Sequence, residues 1–408
     1  MKRLALFLDG TWNTVKSKTN VWLLSRQIAD SDGTIKQECF YQAGVGTKWY
    51  DGLRGGALGY GLSKHVLEAY EWILANYEDG DQIFIFGFSR GAFTARSLAG
   101  LIARCGLLRK GAGIDPKELY LRYERPQATR PIYTLDYLKS IGGALTMDEE
   151  ILLLSSRRVQ IRAIAVWDTV GALGVPFGDI PGLSRKEFQF HNTRLSNIFD
   201  YAFHALAIDE HRQAFVPTLW SRFVPEPPDP PPPAAPREPV VEQRWFIGAH
   251  ADVGGGNPTA LPEIAMAWLA EKAEQAGLAL KEPSVSSPAA FRAPITDSFA
   301  DFAFGLYKLL KGGKKFIRTI QAARILKETH EETGKPQRAG WVETVNETID
   351  ASVFDRFRAD PSYRPPALMN WAGLHGVDPA SVHGAVECPT AGPVVTRTQS
   401  GRPVTGGH

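Results

Sequence analysis

One block of the sequence restricts the fold more than any other, because a strand, a tight turn and a helix follow one another in it without interruption. Residues 82–86 read QIFIF, the continuous apolar pattern of a strand that is buried on both faces of a parallel sheet. Residues 87–91 read GFSRG, and residues 91–105 then repeat apolar side chains at helical spacing. This block predicts a strand–turn–helix unit of the α/β class.

Short apolar runs alternate with helical stretches elsewhere in the chain. We predict the further strands 4–8, 38–42, 162–167 and 243–248, and the helices 20–29 and 61–77. Strands that alternate with helices favour a parallel sheet covered on both faces. The expected fold is therefore α/β: an α/β-hydrolase-like, doubly wound, mostly parallel sheet with helical insertions and a helical, irregular C-terminal extension.

The order of these elements suggests how the chain is divided. We expect a catalytic domain over residues 1–280, interrupted by a mostly helical insertion at about 107–158. Residues 225–239 contain nine prolines in fifteen residues, which predicts a solvated loop of polyproline type. Residues 281–388 are expected to form a helical cap or lid-like extension, and 389–408 a flexible tail.

The balance of charges limits the partners. The chain has 408 residues with 46 basic and 44 acidic side chains, a net charge of +2, which argues against a generally basic nucleic-acid-binding protein. Its three cysteines, Cys39, Cys105 and Cys388, are widely spaced and form no CxxC pair. This spacing disfavours a disulfide framework or a cysteine zinc site, and it fits synthesis in a reducing compartment.

The sequence contains no recognisable targeting or membrane-spanning segment. The apolar run 4–8 ends at Asp9, whereas a secretory signal needs a core of about 7–15 apolar residues. No apolar run approaches the roughly 18 residues of a membrane helix. We therefore expect synthesis in the cytoplasm without a cleaved signal peptide, and any export by a signal-independent secretion system.

Ser89, at the centre of GFSRG, is the candidate nucleophile. A GxSxG turn between a strand and a helix is strained and presents the serine hydroxyl at the carboxyl edge of the sheet. The backbone amide of Arg90 and the positive end of the helix dipole point to the same place, so both can stabilise an oxyanion. A second donor is expected from the loop after the first strand, where the amide of Gly10 or of Thr11 fits. Asp9 is expected to hold this loop.

His250 and Asp168 are the candidate base and acid. His250 lies on a glycine-rich loop after the predicted strand 243–248, and Asp168 directly follows the strand 162–167. At a shared sheet edge, Asp168 can reach one ring nitrogen of His250 while the other ring nitrogen faces Ser89. The chain order serine, aspartate, histidine is that of α/β-hydrolases.

Two other carboxylates compete for the role of the acid. Asp252 lies on the same glycine-rich loop as the histidine and is expected to shape that loop instead. Asp209 is expected at the end of a helix within residues 204–212. There, Asp209, Glu210 and Arg212 would form supporting ion pairs around the site.

Five ordered blocks of the sequence resemble one family. They read FLDGTWN (7–13), GFSRGAFTARSLAG (87–100), VWDTVGALG (166–174), HALAIDEHRQAFVPTLW (204–220) and WFIGAHADVGGG (245–256). These blocks resemble the α/β-hydrolase family of formerly unknown function that includes the catalytic domain of type VI secretion phospholipase effectors. The resemblance implies Ser89 as nucleophile, Asp168 as acid and His250 as base. It also implies that antibacterial members cleave the acyl esters of glycerophospholipids.

The sequence therefore predicts a serine acyl-ester hydrolase, a lipase or phospholipase A-type enzyme, that needs no metal or organic cofactor. Its substrate would be a lipid or another acyl ester. Residues 302–327 carry seven lysines and arginines and no acidic residue. They could make peripheral contact with an anionic membrane, and a packed pair of helices with solvated lysines is the alternative. An immunity or secretion partner is implied only by the resemblance.

Two other functions stay open at this point. Asp9, Asp168, His250 and Asp252 all follow predicted strands and could gather around a divalent cation in a metal-dependent hydrolase. The fold could instead serve as a non-enzymatic interaction platform, with the proline-rich loop and the basic segment as its surfaces. An intact serine turn with a base and an acid favours the serine enzyme over both.

Overall fold

The core of the molecule is a mostly parallel β-sheet. The computed structural model describes residues 1–10, 13, 15–44, 56–125, 129–170, 198–225, 240–301, 314–321, 324–328 and 338–388. The strands described there, numbered along the chain, are β1 Arg3–Leu8, β2 Gln37–Gln42, β3 Gln82–Phe88, β4 Leu107–Leu108, β5 Ser156–Arg157, β6 Ile161–Trp167, β7 Phe199–Ala207, β8 Ser221–Pro225, β9 Val240–Phe246, β10 Arg324–Glu328, β11 Arg338–Thr344, β12 Glu347–Ile349 and β13 Val386–Glu387. Eight of them form one sheet in the order β13-β12-β9-β7-β6-β3-β1-β2.

Neighbouring strands of this sheet are parallel, except that β12 and β13 are antiparallel. Chain order and sheet order differ, so the connections cross over the sheet and carry helices. The described α-helices are α1 Asn20–Gln27, α2 Gly56–Asn76, α3 Arg90–Cys105, α4 Pro116–Tyr123, α5 Ile132–Ser140, α6 Met147–Ser155, α7 His250–Gly254, α8 Leu261–Gln275, α9 Ser298–Asp301, α10 Ala351–Ala359 and α11 Pro366–His375. The predicted α/β fold is confirmed.

Strand β1 shows how both faces of the sheet become buried. Its side chains alternate, so Leu4 and Leu6 lie in one core with helices α2 and α3, while Ala5 and Phe7 lie in the other core with α1 and α8. The Phe7 ring stacks on Phe86 of β3, with the ring centroids 4.7 Å apart. Because both faces are covered, residues 4–8 of the strand are all apolar and form a continuous run.

The segment around Asp209 differs from the prediction. The sequence predicts a helix there, but Phe199–Ala207 form the strand β7, between β6 and β9 in the sheet. Nearly all side chains of β7 are buried. Asp200 and His204 interrupt the apolar residues of β7, so neither a continuous apolar run nor a strict alternation identifies this strand in the sequence.

The basic segment 302–327 differs as well. We expect two helices there, but Arg324–Glu328 form the strand β10, which pairs with β11, and β11 pairs with β8. This segment forms a strand because it pairs with a distant part of the chain, and the local spacing of apolar residues does not predict such pairing. Three stretches from these predictions lie outside the described residues, namely 302–313, the proline-rich 226–239 and the tail 389–408.

The insertion at 107–158 contains the helices α4, α5 and α6, closed by the antiparallel pair β4–β5. The C-terminal extension contributes to the main sheet, because β12 pairs with β9 and β13 pairs with β12. Helices α10 and α11 cover this end of the sheet in a third core, where Phe354 and Leu368 pack with Trp245 of β9. The division of the chain at residue 280 stays a prediction.

None of the helices within the described residues is long and apolar enough to cross a membrane.

A chain that ends at residue 280 tests how far the extension belongs to the fold. This truncation removes β12, α10 and α11, so it exposes the edge of β9 and the Trp245 ring, which is fully buried in the whole chain. Exposed strand edges and large apolar surfaces lead to aggregation. We expect no cooperative thermal unfolding of the 1–280 chain in circular dichroism. The control is a chain ending at residue 388, which keeps every described element, and cooperative unfolding of both chains at the same temperature would contradict this account.

Candidate active site

Ser89 lies in a strained turn between β3 and α3. Its backbone has φ 57° and ψ −121°, a region that residues other than glycine rarely adopt. The neighbouring glycines make the turn possible, because a Cβ on Gly87 would lie 2.6 Å from the carbonyl oxygen of Gly91. A Cβ on Gly91 would in turn lie 2.6 Å from the carbonyl oxygen of Asp9. The strain, on the order of 1–3 kcal/mol, is maintained by this packing.

The three residues predicted to act together lie in one hydrogen-bonded chain. Nε2 of His250 lies 2.8 Å from Oγ of Ser89, and Nδ1 of His250 lies 2.6 Å from Oδ2 of Asp168. The parallel sheet explains the convergence, since Ser89 follows β3, Asp168 follows β6 and His250 begins α7 after β9. The rival carboxylates Asp209 and Asp252 do not take the place of Asp168.

The imidazole of His250 is buried between two aromatic rings. The Phe88 ring lies 4.6 Å from the imidazole and the Phe215 ring meets it edge-on at 4.9 Å, measured between centroids. Burial lowers the pKa of His250 below its ordinary value of 6.5, and the hydrogen bond to Asp168 opposes this effect. The neutral imidazole, which is the form that can accept a proton, is therefore favoured.

Asp168 is fully buried and is held by four donors. The Ala207 amide donates to Oδ1 at 3.1 Å, and the Arg318 guanidinium donates to Oδ1 at 2.6 Å and to Oδ2 at 3.0 Å. Burial raises the pKa of Asp168, but the charge of Arg318 and the hydrogen bond from His250 outweigh burial, so the pKa is lowered. The carboxylate is therefore ionised, which keeps the proton on Nδ1 of His250 and leaves Nε2 to accept the proton of Ser89.

Sequence reasoning missed Arg318. It lies on the irregular stretch 314–319, in the basic segment whose lysines and arginines suggest a solvated surface. No motif or periodicity distinguishes it from the other basic residues of that segment. Only the fold brings it to the end of β6.

The supporting ion pair is formed by Glu210 and Arg212, as the sequence predicts for these two residues. Glu210 is fully buried and accepts from Nε and Nη2 of Arg212 at 2.8 and 2.7 Å, and from the His250 amide at 3.2 Å. Burial raises the pKa of Glu210, but Arg212 outweighs this and lowers the pKa to about 2. The Arg212 guanidinium lies 3.6 Å above the Phe215 ring that contacts His250.

Asp209 hydrogen-bonds to neutral groups within the described part of the chain. It accepts from the Gly248 amide at 2.8 Å and from the Tyr363 hydroxyl at 3.0 Å, and burial raises its pKa. In the described residues the Asp209 side chain thus binds the loop before His250, and its ion pairing stays a prediction.

Asp252 fixes the start of helix α7, which carries His250. It accepts from the Ala249 amide at 3.0 Å, from the amide and hydroxyl of Thr296 at 3.0 and 2.8 Å, and from Asn257 at 3.0 Å. Its carboxylate thereby ties its own loop to Thr296. This geometry agrees with the expectation that Asp252 shapes the loop.

The loop after β1 lies directly against Ser89. A Cβ on Gly10 would be 3.1 Å from the Ser89 Cβ. The Gly10 amide, one of the two predicted oxyanion donors, is already donating to Oδ1 of Asp9 at 2.7 Å. Asp9 also accepts from the hydroxyls of Thr19 and Tyr41 at 2.6 and 2.8 Å, and burial raises its pKa. Thr11, the other candidate, lies outside the described residues.

The four residues of the metal hypothesis have other partners. Asp168 is paired with Arg318, Asp252 is bound by amides and hydroxyls, and Asp9 holds its own loop. Within the described part of the chain, no three His, Cys, Asp or Glu side chains are grouped so that they could share a metal ion. The donor set at this sheet edge does not support a metal-dependent hydrolase.

Replacing Gly91 by alanine tests the packing behind the serine turn. Alanine favours a helix over glycine by about 1 kcal/mol, so any loss must come from the overlap of its Cβ with the end of β1. We expect a net loss of about 1–3 kcal/mol in the free energy of unfolding, measured in urea. The matched control is Gly373→Ala in α11, where a Cβ has open space and should be neutral or stabilising. Wild-type stability of Gly91→Ala would show that the turn is not packed as described.

Comparison with known proteins assigns the chain to a family. Residues 2–272 match the family described as T6SS, phospholipase effector Tle1-like, catalytic domain. The uncharacterized protein YEL023C of Saccharomyces cerevisiae is 30% identical over 233 residues, which cover 52% of this chain and 32% of the yeast protein. The chain thus spans about a third of the length of this relative.

Two solved structures are more distant. An uncharacterized protein from Pseudomonas aeruginosa has 18% identity and a TM-score of 0.35, over 71% of this chain and 48% of that chain. The Tle1 effector bound to the VgrG spike of the type VI secretion system has 15% identity and a TM-score of 0.31, over 84% of this chain and 68% of that chain. On the strength of the match over residues 2–272, the chain belongs to the Tle1-like phospholipase effector family of type VI secretion.

Proposed function

We propose that this protein is a serine acyl-ester hydrolase of phospholipase A type, with Ser89 as nucleophile, His250 as base and Asp168 as the acid that orients the base. The observation that carries the proposal is the hydrogen-bonded chain from Ser89 Oγ through both ring nitrogens of His250 to Asp168. The family supports an ester-hydrolysing, lipase or phospholipase activity. The serine mechanism is our inference from the side chains.

The geometry supports a two-step reaction through an acyl-enzyme. His250 takes the proton of Ser89 as Oγ attacks the ester carbonyl, and the imidazolium that forms is stabilised by the ionised Asp168. The Arg90 amide, at the first turn of α3, would donate to the oxyanion together with an amide of the loop at Gly10 and Thr11. His250 then gives its proton to the leaving alcohol, and water repeats the sequence to release the fatty acid.

The Gly10 amide needs a small change to serve in this role. It donates to Asp9 in the resting site, so it would have to share its hydrogen or turn toward the oxyanion. Asp9 then acts by holding the loop against Ser89.

We place the catalytic domain, which carries the nucleophile, base and acid, at residues 1–280, with residues 281–388 as an extension that is packed on it and adds β12 and β13 to its sheet. The family supports a phospholipid as substrate and export without a cleaved signal peptide. Secretion or immunity partners, and peripheral membrane contact through residues 302–327, belong to the same proposal. In the described part of that segment, Lys314 and Lys315 are exposed and could meet an anionic surface, although Lys315 also pairs with Asp297 at 3.7 Å.

Replacing Ser89 by alanine tests the nucleophile. The variant keeps the fold but has no oxygen to attack the ester, so fatty-acid release from phosphatidylglycerol vesicles should fall by at least about 10³-fold. Product analysis by mass spectrometry measures the release. The matched control is Ser97→Ala in the same helix, whose hydroxyl donates to the Phe93 carbonyl at 2.8 Å and is remote from the reaction. Equal release by Ser89→Ala and wild type would refute the assignment.

The pH dependence tests the state of His250. Only neutral His250 can accept the serine proton, and burial lowers its pKa below 6.5. As the pH falls, activity should therefore persist below pH 6.5 and be lost only when the imidazole becomes charged. We expect the acid limb of kcat/KM for a soluble short-chain ester to have its midpoint below pH 6.5. A midpoint above that value would contradict the buried, neutral histidine.

A further inference from the structure

The Arg318 guanidinium completes the acidic end of the site. It is about 1% exposed, and its two terminal nitrogens face the two oxygens of Asp168, Nη1 to Oδ1 at 2.6 Å and Nη2 to Oδ2 at 3.0 Å. This is the parallel two-bond geometry in which arginine binds carboxylates most specifically. Both groups are fully buried, so the charges are poorly screened.

The same guanidinium joins two further parts of the site. Nη1 of Arg318 also donates to the Ala207 carbonyl at 2.7 Å, and Nη2 donates to the Phe215 carbonyl at 2.6 Å. Ala207 ends the strand β7 beside Asp168, and Phe215 carries the ring that packs edge-on against His250. Arg318 therefore fixes both the carboxylate and one wall of the imidazole pocket.

A purely stabilising role is a poor explanation for this arginine. Burying a charged pair costs desolvation energy that the pair often fails to recover. Among the described residues, Nε of Arg318 also has no hydrogen-bond partner, although it is buried. Because burying Arg318 costs desolvation energy, its presence is better explained by its effect on Asp168.

The charged groups around Asp168 indicate how Arg318 affects proton binding by Asp168 and His250. Asp168 faces Arg318, His250 and His204, and His204 is neutral because burial lowers its pKa to about 3. On its other side, His250 faces the closed ion pair of Glu210 and Arg212.

Among the described residues, Arg318 is the cation that is hydrogen-bonded to the Asp168 carboxylate while the imidazole is neutral. Without Arg318, the buried pair of carboxylate and neutral imidazole would carry a net negative charge. A proton would then bind the pair more readily.

We propose that Arg318 is a positioning residue, which holds Asp168 for His250 and keeps the imidazole neutral at the pH of catalysis. This inference rests on the proposed serine mechanism. Arg318 lies beyond residues 2–272, the part of the chain that matches the family's catalytic domain. The segment after that domain would thus supply an essential part of the site.

The test is Arg318→Gln, which keeps a hydrogen-bonding amide and removes the charge. The acid limb of kcat/KM should move to higher pH by about one unit, because a positive charge near the pair is lost. At the optimum pH, kcat should fall by about 10- to 100-fold, which is part of the rate enhancement that general acid–base catalysis supplies. A merely structural arginine would lower stability without moving the pH midpoint.

Two further variants separate charge from fold. Arg318→Lys keeps the charge but not the two-bond geometry, so its acid limb should stay at the wild-type pH while kcat falls. The matched control is Arg356→Gln, a partly buried arginine that donates to the carbonyls of Phe291 and Ala293, and it should leave the pH midpoint unchanged. Thermal unfolding of each variant identifies those that fold.

The outcomes distinguish this inference from the proposed function. If wild type reacts with a fluorophosphonate at Ser89 but folded Arg318→Gln has the wild-type pH midpoint and kcat, the role of Arg318 is wrong and the serine mechanism stands. If wild type does not react at Ser89, the proposed function itself fails. Should Arg318→Gln not fold, wild-type kcat in Arg318→Lys would overturn the positioning role.

Discussion

The buried carboxylate of Asp168 is the group on which the rest of the site depends. An isolated buried charge is too costly to persist, so every surrounding element must offer it a donor. The Ala207 amide, the His250 imidazole and the Arg318 guanidinium do so, and they come from three distant parts of the chain. The Asp168 backbone itself has φ 37°, a rare conformation that this surrounding structure maintains.

The parallel sheet is what brings these elements together. Ser89 and Asp168 follow neighbouring strands, and the backbone hydrogen bonds of the sheet extend to both residues. The Ser89 amide donates to the Trp167 carbonyl at 3.1 Å, and the Asp168 amide donates to the Ala205 carbonyl at 2.7 Å. Both side chains are therefore held by the sheet rather than by mobile loops. His250 reaches them from the start of a short helix whose position is fixed by Asp252 and Glu210. A hydrogen-bonded chain of this kind needs such precision, since small displacements cost much of the rate.

The site could be predicted from the sequence where local pattern and chemistry coincide. The continuous apolar run before GFSRG identifies the strand β3, and the polar residues Asp168 and His250 stand out because each follows such a run. The strand β7 was not predictable, since Asp200 and His204 interrupt its apolar run. The strand β10 and the role of Arg318 were not predictable either. The strand forms by pairing with β11, and the arginine is placed by its contact with Asp168. Contacts between remote parts of the chain leave no periodic pattern in the sequence.

Membership in the Tle1-like family and the geometry of the sheet edge support one account, in which Ser89 is the nucleophile of a phospholipid-cleaving enzyme. The most direct measurement is peptide mapping after reaction with a fluorophosphonate. Trypsin releases residues 65–90 as one peptide, in which Ser89 is the only hydroxyl side chain of serine or threonine type. The account predicts that the adduct mass appears on this peptide and is absent from Ser89→Ala. An adduct found only on another peptide, or an active enzyme that never reacts, would contradict it.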